Sequence, residues 1–516
     1  MKFNPMVSEN ASARLRQRCQ EAWRRQDYPL YFKLMEQAGR KDSANPAFWL
    51  DLGASYGMRY DYAAAERCFE KAIRVGSHRL DSLVMAAIKC RAFERYEMAR
   101  HYLERAVREP GASADTHIKL AEVYERFHLL EAAGELVDKA LHLDPASILA
   151  WLARARLNRL SGKLGEAETL LRTFLSRSDR ETWSTRIRGW YELGAVLDAQ
   201  GRYDEAMEAF VRAKNLILPN AGQFMAGQKL VQSNLKIAVE KLNPEMMSRW
   251  QEQGRVLQPP VRLALLCGHP RSGTTLLEQV LDSHPGLVSA EETTVFHRES
   301  FGCLLRGGPP GRLLLATLEA ATPATLRQAR VNYAHCMSRF LGHPPDARLL
   351  IDKNPSLTPL VPAFARVFPE AKFLVALRDP RDVCLSCFMQ PLPLGQVSSI
   401  FLTLEGTAQE YASVMGLWRA AAPCLPGSCL EIRYEDLVAD LAGTARRALE
   451  FLGAGWDERV LRFDQHARGK LVRSPTHAAV AKPISKGAIG RWRNYQKHLE
   501  PWLETLAPFI TAFGYE

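Results

Sequence analysis

The residues Gly268-His269-Pro270-Arg271-Ser272-Gly273-Thr274-Thr275 follow an apolar run, Leu263 to Cys267, and precede a helical pattern carrying Leu276, Leu277, Val280 and Leu281. A strand, a glycine-bearing loop and a helix N-terminus together aim backbone N–H groups at one point. That is how an anionic group, a phosphate above all, is cradled. The spacing from Gly268 to Gly273 is that of a nucleoside-triphosphate loop, but Thr274 stands where such a loop carries its lysine. The missing lysine argues against ordinary triphosphate chemistry. It leaves a cradle for another phosphorylated ligand, with Arg271 as the nearest cation.

More groups of the same kind follow later apolar runs. Asp352 and Lys353 come after Leu349 to Ile351, Arg378 comes after Phe373 to Leu377 with Ser386 eight residues further on, and Tyr434 comes after Cys429 to Ile432. Near the end stands Lys486-Gly487-Ala488-Ile489-Gly490-Arg491-Trp492-Arg493, within a basic stretch from Arg459 to Arg493 in which Asp464 is the one acidic residue. One cradle does not need so many cations. A ligand phosphorylated at two separated places does, and Trp492 offers a face on which a base can stack. Leu349 to Asp352 has a second reading, as a strand ending in the magnesium-binding Asp of a P-loop kinase.

These groups need elements to hold them. Beyond Pro260 the short apolar runs alternate with longer helical patterns, which predicts an α/β domain with a largely parallel sheet. Ligands of such sheets bind beyond the carboxyl ends of the strands, where Arg271, Lys353 and Arg378 fall. The segment from Gln223 to Gln253 stays helical, and Gln258-Pro259-Pro260 reads as a rigid hinge.

Ahead of that hinge the chain repeats. Ala65, Ala99, Ala133 and Ala167 are spaced by 34 residues, as are Ala72, Ala106 and Ala140, and as are Gly53, Ala87, Ala121 and Ala155. Phe69, Leu103, Val137 and Leu171 keep the same register, and Trp190, Leu193, Gly194, Tyr203, Ala206, Phe210 and Ala213 repeat the pattern after a five-residue insertion. This resembles the tetratricopeptide repeat, in which small residues let two antiparallel helices approach and larger ones fill the gap to the neighbouring pair. About five repeats are expected over 45–216, preceded at 1–44 by a helical cap that is a degenerate repeat. The resemblance implies a surface for a protein or peptide partner.

Composition sets outer limits. The chain of 516 residues is 47% hydrophobic and 24% charged, as expected of a soluble, multidomain protein. No run approaches the roughly 18 apolar residues of a membrane span, and the N-terminus shows no secretory h-region, so a cytoplasmic location is expected. Ten cysteines lie mostly inside apolar segments, which fits free thiols in a reducing compartment. Cys384 and Cys387 form a lone Cys-x-x-Cys, more simply a helix face than a zinc site. The net charge of +11 suits an anionic ligand.

From about residue 260 to 516 the chain resembles sulfotransferases that use 3′-phosphoadenosine-5′-phosphosulfate (PAPS), in the branch similar to tyrosylprotein sulfotransferases. Pro270-Arg271-Ser272-Gly273-Thr274-Thr275 matches that family's 5′-phosphosulfate loop, and Arg378 with Ser386 matches its 3′-phosphate motif. The resemblance implies that Arg271, Ser272, Gly273, Thr274 and Thr275 hold the 5′ group and that Arg378 and Ser386 hold the 3′-phosphate. It also places Tyr434, Lys486, Arg491 and Trp492 around the nucleotide. Glu292 falls at the position of the catalytic base, with Glu291 as its neighbouring rival. A phenol with a pKa near 10 needs a group to accept its proton. Arg271 and Lys353 are expected to stabilise charge on the sulfuryl oxygens and the departing phosphate, and Thr476 to supply a hydroxyl near the transferring group. A structural pairing of Lys353 with Asp352 is the alternative. Ala479 and Ala481 depart from the Gln and Arg frequent in related proteins.

The expected architecture is thus a multidomain chain: an all-α tetratricopeptide solenoid, linker or capping helices at 217–258, and a P-loop-like α/β sulfotransferase domain at 259–516. The expected ligands are PAPS and a hydroxyl acceptor (a peptide tyrosine, a sugar or a phenol), with no nucleic acid and no metal, because arginines and a lysine supply the positive charge. Two alternatives stand beside it: a P-loop kinase, and a non-catalytic repeat scaffold whose α/β domain only binds nucleotide.

Overall fold

The computed structural model describes residues 13–25, 27–41, 43–176, 182–254, 256–257, 260–306, 308–309, 311–343, 346–468 and 484–515. The chain divides into two compact units, Met1–Ser176 and Arg177–Glu516.

The first unit is a series of antiparallel helix pairs. Ala13–Arg24 and Tyr28–Lys41 form the first, and Pro46–Met58 with Tyr62–Val75 the next. Arg79–Ala92 with Tyr96–Ala106, Ala114–Arg126 with Leu130–Leu143, and Ile148–Leu160 with Leu164–Ser176 follow. Local chemistry starts several of them: the side chains of Asn45, Asp61, Ser113 and Ser147 each accept a backbone N–H of the first helical turn. The alanines of the 34-residue series are buried where the paired helices meet, with Phe69, Leu103, Val137 and Leu171 beside them. Within the four pairs from Pro46 to Ser176 the chain turns through a left-handed residue. Tyr60, Glu94, His128 and Gly162 all hold positive φ and are themselves 34 apart. The expected N-terminal pair shares a core with the next pair, in which Tyr31, Leu34, Met35 and Ala38 meet Phe48 and Leu52.

The second unit opens with Trp183–Ala199 and Tyr203–Ile217, the helix pair with the fifth copy of the repeat pattern. Gly222–Lys241 and Pro244–Gly254 follow. These two helices are joined to the sheet domain by buried polar contacts. Gln228 and Gln232 donate to Glu410, and Arg366 donates to the carbonyl of Trp250 and to Gln253. Of the hinge, Gln258 and Pro259 lie outside the described residues.

Five parallel strands form one sheet in the order β2-β3-β1-β4-β5. They are β1 (Leu263–Gly268), β2 (Leu287–Glu291), β3 (Leu349–Lys353), β4 (Lys372–Leu377) and β5 (Cys429–Arg433). Four coincide with the expected runs, but β2 does not. Its sequence, Leu287-Val288-Ser289-Ala290-Glu291, has small and polar residues at its centre and shows no apolar run. Its pairing with β3 makes it a strand. β1 is buried at every position, as a central strand covered on both faces must be. The core around it joins Ala264, Leu266, Leu277, Leu281, Ile351, Leu374 and Ile432 to Leu449 and Phe463.

Candidate active site

The loop after β1 is shaped by two glycines that no other residue replaces. Gly268 has φ 133°, and a Cβ there would lie 2.3 Å from the carbonyl oxygen of Ala376. Gly273 has φ 92°, and its Cβ would meet the Tyr434 ring at 2.6 Å. Gly273 is also the N-cap of the helix Thr274–Asp282, whose first two residues are buried. Between the glycines, Arg271 holds φ 74°, a left-handed conformation uncommon outside glycine. Its Nε donates to Ser386 Oγ at 3.0 Å. Ser386 lies on the helix Pro380–Phe388, so the first and third expected motifs are in direct contact.

Arg378, at the end of β4, joins them. Its guanidinium donates to the carbonyl of Arg271 at 3.2 Å and to the carbonyl of Ala488, and its Cζ lies 5.1 Å from the centre of the Tyr434 ring. Asp382 was not among the expected site residues. It is buried and ties the late basic segment to this helix, accepting the backbone N–H groups of Gly490 at 2.7 Å and Trp492 at 2.8 Å.

Glu292 approaches from the other side. Successive residues of a strand point to opposite faces, yet Glu291 and Glu292 reach the same partner. The left-handed backbone of Glu292, φ 47°, redirects its side chain just past the end of β2. Lys353 Nζ lies 2.8 Å from Glu292 Oε1, 3.3 Å from Glu291 Oε1 and 3.9 Å from Glu278 Oε2. Lys353 and Glu278 are wholly buried, whereas the Glu292 side chain is 33% exposed. Burial pulls the Lys353 ammonium down, but Glu292, Glu291 and Glu278 outweigh it, and its pKa ends above the usual lysine value. Three carboxyl groups thus surround one buried ammonium.

The alternative pairing of Lys353 with Asp352 is not formed. Asp352 points the other way, accepts the Tyr333 hydroxyl at 2.9 Å and is pushed up to about 7 by complete burial. That placement removes the magnesium ligand which the kinase reading required.

These groups open onto one cleft of about 710 Å³, lined by Arg271, Gly273, Thr274, Thr275, Glu292, Arg378, Ser386, Tyr434 and Arg491. Leu385, Met389, Leu392, Val397 and Phe401 form an apolar part of its wall. Other expected residues are placed differently. Ser272 is buried beneath the loop, and Lys353 lies behind Glu292 instead of meeting a ligand directly. Trp492 does not present a free face to a base: it is buried, with the Arg381 guanidinium 3.9 Å above its ring. Lys486 is exposed and does not line the cleft. Thr476, Ala479 and Ala481 lie outside the described residues. Glu278 was missed because a lone Glu in an amphipathic helix reads as a solvated residue, and only the fold buries it.

Comparison with known proteins finds likeness in both regions of the chain. Residues 264–458 match the sulfotransferase family and residues 187–217 match a tetratricopeptide repeat. A protein of Aquifex aeolicus without an assigned function is 24% identical over 396 residues, 75% of this chain and 49% of that protein. Protein-tyrosine sulfotransferase A of Caenorhabditis elegans is 25% identical over 274 residues, 48% of this chain and 66% of that one. The chain therefore spans less than two thirds of the length of either relative. Among solved structures, the sulfotransferase domain of the Synechococcus olefin synthase is 25% identical, covers 46% of this chain and 87% of that domain, and superposes with a TM-score of 0.33.

Proposed function

We propose that this chain, which carries a sulfotransferase-family domain and tetratricopeptide repeats, transfers a sulfuryl group from PAPS to a hydroxyl acceptor. The observation that carries the proposal is the convergence on one cleft of a phosphate loop, a second basic site at Arg378 and Ser386, and a single part-exposed carboxylate, Glu292. A donor phosphorylated at both its 5′ and 3′ ends fits two adjoining basic groups, Arg271 in the loop and Arg378 after β4. A mononucleoside triphosphate does not need the second.

In this reading the acceptor oxygen attacks sulfur and the bond from sulfur to the 5′-phosphate oxygen breaks. Glu292 accepts the hydroxyl proton as the new bond forms. The leaving oxygen takes the electron pair, and its growing charge is met by Arg271 and by the backbone N–H groups at the start of the helix Thr274–Asp282. Arg378 and Ser386 hold the 3′-phosphate and Tyr434 lines the nucleotide site. Lys353 acts through Glu292, holding its carboxylate toward the cleft by a 2.8 Å hydrogen bond from behind.

A peptide tyrosine is the preferred acceptor. Likeness to protein-tyrosine sulfotransferases favours it, and so does an apolar wall suited to an aromatic ring. The repeats then bind the acceptor protein or a partner that delivers it.

The test uses the full chain with ³⁵S-labelled PAPS and a panel of tyrosine peptides, small phenols and sugars, with release of 3′-phosphoadenosine 5′-phosphate (PAP) followed in parallel. Label in a tyrosine peptide, lost in Glu292→Ala, is the expected result. Absence of PAP binding overturns the reading. Binding without transfer to any acceptor favours the non-catalytic scaffold, and magnesium-dependent ATP turnover favours a kinase.

A further inference from the structure

The helix pair Trp183–Ala199 and Tyr203–Ile217 carries the repeat signature, yet polar side chains from both helices contact residues that line the cleft. Asp198, 18% exposed at its side chain and next to the end of the first helix, forms an ion pair with Arg491 and accepts the Tyr495 hydroxyl at 2.6 Å. Arg491 lines the cleft together with Arg271, Arg378 and Ser386. Tyr495 is fully buried and packs edge-on against Tyr203, the first residue of the second helix, at 5.3 Å. Further along that helix the buried Lys214 donates to the carbonyl of Phe401 at 2.6 Å, and Phe401 also lines the cleft. A repeat that only bound a partner would require none of these contacts.

Arginine has five N–H donors in a planar fork, so one held by a carboxylate leaves others for a ligand. Restraining a long side chain before the ligand arrives removes an ordering cost from binding. We propose that Asp198 is a positioning residue of the nucleotide site, holding Arg491 in the cleft so that the last repeat pair is a structural part of donor binding and not a detachable docking module. This rests on the reading of the cleft as a PAPS site. The opposing possibility is competition, with Asp198 drawing Arg491 away from a phosphate. The two predict opposite signs.

The experiment measures PAP affinity calorimetrically in the full chain and in Asp198→Asn, Arg491→Ala, the double variant and Tyr495→Phe. Donor KM and kcat are followed in each. Asp198→Asn is expected to weaken PAP binding about tenfold, the loss of one charge-assisted contact, and to raise donor KM with kcat nearly kept. The double variant should bind no more weakly than Arg491→Ala alone, because both changes break one linkage. Tyr495→Phe should lower Tm and leave PAP affinity intact, separating positioning from packing. Unchanged or tighter PAP binding by folded Asp198→Asn overturns the inference, as do additive losses in the double variant. If Asp198→Asn does not fold, Asp198→Glu, which keeps the charge but displaces Arg491, must show the same weakening. Failure of the unmodified chain to bind PAP overturns the donor reading itself, whereas binding that ignores Asp198 overturns only this inference.

Discussion

Tyr60, Glu94 and His128 in the first unit and Arg271 and Glu292 in the second all hold left-handed backbone without being glycine. In the repeats this conformation recurs every 34 residues, at the turn inside a helix pair, and the residue types share nothing. The turn alone requires it, and the fourth copy uses glycine. In the sheet unit the same conformation falls on an arginine and a glutamate that line one cleft. There a glycine would satisfy the backbone equally well, but it would remove the group that the cleft presents. Local strain at a turn is a geometric convenience, whereas strain borne by a charged residue in a cleft points to function.

That contrast can be broken or sharpened by experiment. The largest effect is expected from Glu292→Gln, which keeps size and removes the carboxylate proposed as proton acceptor. Turnover should fall by about 10²–10⁴-fold with PAP affinity nearly unchanged. An equal loss of PAP affinity would show that Glu292 shapes the site and does not act in the chemistry. Next is Lys353→Met, which leaves Glu291 and Glu278 buried without their ammonium. A stability loss of about 3–5 kcal/mol is expected, read as a fall in the chemical-denaturation midpoint.

Leu103→Ala empties a fully buried position of the first unit. It should cost about 2–5 kcal/mol in that unit's unfolding transition, while folded protein keeps its PAP affinity. Lys214 tests the second unit by pH. Burial brings its pKa down to about 7 from an ordinary value of 10.5. Between those values the unfolded chain binds the proton that the folded chain has released, so stability should rise with pH across the window. The part of that slope due to Lys214 should vanish in Lys214→Met, seen by denaturation at pH 7 and pH 9.5. The smallest effect is expected from Tyr60→Gly. Relief of the left-handed strain opposes the greater freedom of the unfolded chain and the lost ring, which should leave Tm changed by the equivalent of about 1 kcal/mol or less.

Much of the fold was legible before any coordinates. The 34-residue period placed the helix pairs, because each repeat must bury small residues at the same point of contact. Four of the five strands were readable as apolar runs ending in polar residues. The fifth, β2, was not, since Ser289 and Ala290 leave no apolar run, and only pairing with β3 makes it a strand. The gathering of Arg271 and Arg378 at strand ends was legible, but the hydrogen bond from Arg271 to Ser386 was not, since the sequence assigned them to separate phosphate groups.

By itself the sequence determined the repeat architecture, the glycine-bearing loop after β1, and the identity of the charged residues that end the strands. Periodicity and glycine positions are local and survive without knowledge of the partners. Tertiary structure alone decided how those charges are used. It set Lys353 behind Glu292 within a group of three carboxylates, turned Asp352 away to Tyr333, and covered Trp492 with Arg381. It also brought Asp198 to Arg491 across 293 residues of chain. The reason is physical: the effect of a charge depends on its burial and its neighbours, and both are set by segments far away in sequence.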